Sequence, residues 1–236
     1  MGVQAPGGRA RWYGTMSRRN INLTLHGIGL CERPLEPGED RVWVGVDEFE
    51  SVLDAVAGRE DVHITFDDGN ASDAVHALPA LLARGLRATF FVVAGRLDEP
   101  GFLNADDVRA LADAGMGIGC HGMRHRPWRR LEEHALHEEL VDARAVLEGV
   151  VGRRVAEAAC PFGSYDRRVL SGLRAEGYRR VFTSDRGNAR PDAWLQARTT
   201  LHSGSALATA EHALRGRIPV HEALARTPVL ALKRWR

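Results

Sequence analysis

Short apolar runs recur along this chain, each followed by a helix-like or loop segment, and that alternation limits the fold more than any other feature. Asn22–His26, Val62–Phe66, Ala88–Val93, Met116–Cys120, Val155–Cys160 and Tyr178–Thr183 read as strands, ATFFVV at 88–93 by its aromatic and β-branched content. Helical stretches fall at about 46–56, 72–84, 105–114, 131–150 and 166–176. Asp47 and Asn104 are candidate caps, and Gly85 is a stop just past a helix end. Strands that alternate with helices build βαβ units around a mainly parallel sheet. The strands number six or seven; seven units suggest a barrel, although a doubly wound sheet would give the same alternation. Beyond Trp194 the order of elements is less legible.

The bulk properties exclude more than they assign. With 236 residues the chain fits one α/β domain, able to bury a core without disulfides or structural metals. We expect residues 1–19, rich in Gly and Arg, to be a disordered tail and 20–236 to be one domain. Basic and acidic residues number 32 and 31, so a net charge of +1 gives no general pull toward nucleic acid or anionic membrane. Cys31, Cys120 and Cys160 form no C-x-x-C pair and read as free thiols of a reducing compartment, with one disulfide as the alternative. No apolar run near the start fits a secretory signal, and Ser17-Arg18-Arg19-Asn20 only hints at a twin-arginine one. No window approaches the roughly 18 apolar residues of a membrane span. The expectation is a cytoplasmic protein, with peripheral membrane association left open.

Chemistry must therefore come from a site, and two motifs supply candidates. Thr65-Phe66-Asp67-Asp68-Gly69 puts adjacent carboxylates at a strand end on a glycine-permitted turn. Like charges side by side repel, so at least one needs a metal or a cationic partner. D-D-G alone is also a common turn tripeptide. Farther along, His121 and His125 stand four residues apart, a spacing that lets two imidazoles reach one ion. Ten histidines in the chain make that pair unremarkable by itself. Together, one Asp and two His form a facial triad with open positions for water and substrate, and a second Asp is left as a base. Both motifs follow predicted buried strands, and in parallel α/β folds the carboxyl ends of the strands converge on one face.

T-F-D-D-G and H-x-x-x-H, followed by Ala159-Cys160-Pro161-Phe162-Gly163-Ser164-Tyr165-Asp166, resemble in order the three motifs of the polysaccharide deacetylase family, the NodB-homology or carbohydrate esterase family 4 enzymes. The resemblance covers about residues 20–202 and implies a distorted (β/α)7 barrel of the glycoside hydrolase and deacetylase type. It also implies hydrolysis of an N-acetyl group from an amino sugar in a saccharide, oligosaccharide or glycoconjugate. Asp67 would be the general base, with Asp68, His121 and His125 holding a divalent metal. Zinc is the usual ion of the family, and the same mixed donors accept cobalt, nickel or manganese. Pro161, Phe162 and Gly163 would line the sugar groove, the Phe162 N–H facing the oxyanion.

Departures from the family pattern shape further expectations. Many members begin the third motif with an Arg that orients the catalytic Asp, and Ala159 stands there. The chain resembles instead the variant reading Y-P-Y/F-G, with Cys160 in the Tyr place, and Arg198 is the candidate substitute. The family's last motif ends in a His, which Leu201-His202 matches in part. His26, ending the first strand, is the favoured rival as general acid. Trp194 is a candidate groove residue or a core residue. Cys120 adjoins a ligand but alternation points it into the core. Two other functions remain open: hydrolysis of another non-peptide C–N bond, such as a formyl, cyclic amide or imide group, and a catalytically weak sugar-binding protein.

Overall fold

The structure, a computed structural model, describes residues 19–215. Apart from Arg19, the expected tail at 1–19 lies outside the described residues, and so does the end of the expected domain at 216–236.

Eight strands form one sheet in the order β7-β6-β5-β4-β3-β2-β1-β8. They are β1 (Ile21–Leu25), β2 (Val62–Asp68), β3 (Ala88–Val92), β4 (Gly117–Cys120), β5 (Glu157–Ala159), β6 (Arg180–Thr183), β7 (Leu195–Ala197) and β8 (Thr199–Thr200). Every pairing is parallel. The two ends of that order meet, because β7 pairs with β6, β8 pairs with β1, and only Arg198 separates β7 from β8. The last run is thus one short bent segment that bridges both edges of the sheet. The result is a nearly closed, distorted (β/α)7 barrel, and the doubly wound alternative falls away.

Helices α1 (Val46–Val56), α2 (Leu78–Ala83), α3 (Ala105–Asp113), α4 (Glu133–His137), α5 (Ala143–Val151), α6 (Arg167–Ala175) and α7 (Ala206–Leu214) accompany the strands. Alternation along β2 sorts the core into two parts. Ile64 and Phe66 belong to a large cluster with α1 and α2 residues such as Phe49 and Leu81, and Phe66 stacks on Phe90 at 4.6 Å. Thr65 and Asp67 point the other way, toward Arg198 inside the barrel. A separate small cluster of Phe91, Ala159 and Phe182 completes the apolar part of that interior.

Several local expectations are refined. Asn104 caps α3 in a reciprocal box, accepting from the Asp107 N–H while Asp107 accepts from the Asn104 N–H. Asp47 does not cap α1; Gly45 holds that position and Asp47 lies in the first turn. Two predicted continuous helices contain wider π turns, at Asp73–Ala77 before α2 and at Glu138–Asp142 between α4 and α5. All three cysteines are free; Cys120 and Cys160 are buried and Cys31 is half-buried. Burial pushes the Cys120 thiol up to about 11, in keeping with an inert core residue. Among the described residues no helix is long and apolar enough to cross a membrane.

Candidate metal and catalytic site

At the carboxyl ends of β2 and β4 the predicted residues converge. Asp67 and Asp68 end β2, and His121 follows β4 directly, its N–H donating to the Val92 carbonyl at 2.9 Å. His121 Nε2 lies 3.5 Å and His125 Nε2 3.1 Å from Asp68 Oδ1. The ligand atoms offered by these three residues all fall within 4.8 Å of one another.

Hydrogen bonding decides which imidazole nitrogen faces inward. His121 Nδ1 lies 2.8 Å from the Ala159 carbonyl, which can only accept, so Nδ1 carries the proton and Nε2 presents a lone pair. Asp68 Oδ1 is buried and makes no hydrogen bond of acceptable geometry, despite two ring nitrogens close by. A carboxylate oxygen and two imidazole nitrogens that converge without sharing protons suit a divalent ion, and this donor set fits one. Against burial, which favours protonation, His121 and His125 hold the Asp68 carboxyl well below the usual range.

The backbone is strained at two of the metal-ligand candidates and at Phe162. Asp68, His125 and Phe162 have φ of 78°, 49° and 56°. Left-handed conformations outside glycine cost about 1–3 kcal/mol each and concentrate at functional sites. Gly69, at φ 74°, continues the turn of Asp68.

Asp67 is buried and ion-paired rather than bare. Arg198 Nη1 and Nη2 donate to its two oxygens at 2.6 and 2.7 Å, and Nη1 also reaches Thr65 Oγ1 at 3.2 Å. The guanidinium is fully buried over the Phe91 and Phe182 rings, 5.2 and 5.8 Å from their centroids. Against burial, Arg198 and then His121 hold the Asp67 carboxyl below its ordinary value. Ala159 packs with the same two phenylalanines, so the place of the family's motif-three arginine is a small apolar one, and the charge comes from the β7–β8 junction, one strand beyond β6.

The remaining predicted residues divide. His26 follows β1 with its Nδ1 buried and without a hydrogen-bond partner. Burial lowers its pKa, opposed by the nearby charges of Asp68 and Asp67. Pro161 and Gly163 are buried in a tight turn, and Phe162 is 64% exposed with its ring 4.6 Å from that of His125. His202 lies just past β8, and its backbone carbonyl accepts from the Ser205 N–H and Oγ. Trp194 is a correction. It precedes β7, at the end of the barrel opposite the metal-ligand candidates. Its Nε1 donates to Tyr178 O at 2.8 Å, and Arg174 stacks on its ring at 4.0 Å. It packs against the core instead of lining a groove at the mouth.

Sequence reasoning missed three acids around this site. Asp73 is fully buried with both carboxylate oxygens lacking hydrogen bonds, and burial, then Asp68 and Asp67, raises its pKa well above normal. Glu36, on the loop after β1, brings Oε2 to 3.9 Å from His125 Nδ1. Glu139 is fully buried beneath the H-x-x-x-H loop. Its signal was present: Leu136, Glu139, Leu140, Ala143 and Leu147 share one helical face, which makes the acid an intruder on an apolar stripe.

Comparison with known proteins agrees with this geometry. Residues 55–181 match the family model for polysaccharide deacetylase, more than half of the chain. The chain belongs to the polysaccharide deacetylase family. YxkH of Bacillus subtilis (strain 168), provisionally named a polysaccharide deacetylase, is 25% identical over 136 residues, 58% of this chain and 49% of its own length. The chain thus spans about half the length of that curated relative. Among solved structures, BC0361, a polysaccharide deacetylase from Bacillus cereus, superposes with a TM-score of 0.72 at 19% identity over 83% of this chain and 69% of that one. The Streptococcus pyogenes deacetylase PplD, in complex with acetate, gives 0.71 at 18% identity, covering 85% of this chain and 99% of PplD. These two likenesses concern the fold.

Proposed function

We propose that this protein is a metal-dependent deacetylase that removes the N-acetyl group of an amino sugar in a saccharide or glycoconjugate. The observation that carries it is a buried, ionised Asp67 paired with Arg198 and lying beside three converging metal donors. Pure sugar binding has no use for a charged carboxylate held in that way.

Asp68, His121 and His125 would hold the ion, zinc in the first instance. A divalent ion there would polarise the acetamide carbonyl and acidify a water. Asp67, kept unprotonated by Arg198, takes the proton of the attacking water, and the Phe162 N–H donates to the carbonyl oxygen as negative charge develops. His26 delivers a proton to the sugar nitrogen as the C–N bond breaks; burial lowers its pKa, and Asp68 and Asp67 oppose that shift only in part. Acetate and the free amine leave.

The test is acetate release from N-acetylglucosamine oligomers of graded length, with and without chelator. We expect release that chelation abolishes. Asp67→Asn should lower it by about 10²–10⁴-fold with metal retained, and unchanged release would defeat the assignment. Formate or a ring-opened acid in place of acetate, across a substrate panel, would move the activity to another C–N bond.

A further inference from the structure

We propose that Glu139 is a positioning residue that sets the metal affinity of the site by holding the His121–His125 loop on its carboxylate. The inference rests on the metal site proposed above. Glu139 lies in the π turn between α4 and α5, fully buried, where an isolated carboxylate would be costly. It is offset by a ring of donors drawn almost entirely from the loop. Met123 N–H donates to Oε2 at 2.9 Å, Arg124 N–H to Oε1 at 3.2 Å, Arg126 Nε to Oε1 at 2.8 Å and Trp128 Nε1 to Oε2 at 3.2 Å.

These donors fall between and just beyond the two histidines. One carboxylate therefore fixes the path of the chain from His121 to His125 and supports the left-handed backbone of His125. The loop is shaped to the acid as well. Gly122 has φ 84°, and a Cβ there would collide with Glu139 Oε2. The Glu139 carbonyl also accepts from Cys120 Sγ at 3.7 Å, tying the same turn to the strand that carries His121. Groups one step behind metal ligands commonly govern affinity, and their loss costs about 10–100-fold. Here the support acts through the backbone.

The experiment is zinc competition against a chromogenic chelator, with the melting temperature of each metal-free protein measured in parallel. Wild type, Glu139→Gln and Glu148→Gln are compared. Glu148 is a control on α5 that accepts from the Val155 N–H at 3.0 Å, at the other end of the barrel. We expect zinc affinity about 10–100-fold weaker in Glu139→Gln and unchanged in Glu148→Gln, even where the two lose similar thermal stability. Equal affinity in Glu139→Gln and wild type overturns the proposal. Should Glu139→Gln fail to fold, Arg126→Met and Trp128→Phe each remove one donor, and affinity unchanged in both overturns it as well. Wild type that binds no zinc would instead overturn the metal site itself, a separable result.

Discussion

Arg198 grips Asp67 with both terminal nitrogens from the junction of β7 and β8, whereas the family's third motif would have placed an arginine at Ala159, at the end of β5. A planar fork matched to a carboxylate is not replaced by an ammonium point charge. Arg198→Lys should therefore keep the fold and lower kcat by about 10²-fold. The sign of the pH effect follows from the shift. Arg198 holds the Asp67 pKa down, so weakening the pair raises it, and the acid limb of kcat/KM moves to higher pH. A pH–rate profile coincident with wild type would contradict this. Arg198→Met is a harsher variant, since stranding a buried carboxylate costs about 3–5 kcal/mol.

His26 and His202 give opposite expectations. His26 lies within electrostatic reach of both aspartates, whereas the hydrogen bonds of His202 are those of its backbone carbonyl to Ser205. His26→Gln should lower kcat by about 10²–10⁴-fold and remove the basic limb of the profile. His202→Gln should stay near wild type. The reverse ranking would exchange their roles.

Metal removal should appear in stability as well as activity. A ligand that binds only the folded state adds about 2.7 kcal/mol at a hundred times its dissociation constant. In a chain of this size that amounts to about 2–4 °C of melting temperature per kcal/mol. Chelator should lower the melting temperature of wild type and Asp67→Asn alike, and leave Asp68→Asn unmoved. A metal-dependent shift persisting in Asp68→Asn would remove that residue from the ligand set.

His63, on β2, carries an acid-side stability dependence remote from the ligands. Its ring lies 3.1 Å from Thr89 Oγ1, and burial, then Arg180 and Arg198, lowers its pKa to about 4. The unfolded chain takes up that proton near pH 6.5, before the folded one does. Stability from neutral His63 is whole above about 6.5 and falls as pH drops toward about 4, by at most about 3 kcal/mol. Melting temperatures of wild type and His63→Gln measured from pH 7 to 4 should converge on the acid side. Parallel curves would refute the assignment.

Much of the fold was legible because its strands are apolar runs ending in chemistry. Thr65–Gly69 and His121–His125 could be placed on one face before any coordinates, since parallel strands present their ends together. Arg198 could be named as a candidate, but not its two-pronged grip, which depends on the curvature of the barrel. The closing segment was obscure for a physical reason. β7 and β8 are three and two residues long, and Gln196 and the intervening Arg198 face inward, so no apolar pattern marks the segment. Trp194 misled because its size suits either a groove or a core. Glu139 was overlooked although its place on the apolar face was legible, because an acid is ordinarily assigned to solvent until its donors are seen.

Closure of the barrel and pairing of the proposed base, Asp67, go together. Because Arg198 is the single residue between the strand that joins β6 and the strand that joins β1, its guanidinium reaches Asp67 only when the ring is shut. It also lies beyond residue 181, where the family match stops. A chain that had formed its first six strands would already hold both aspartates and both histidines, yet its base would stand without a counter-charge. The counter-charge of the proposed base therefore depends on the stretch of sequence that looks least like a strand.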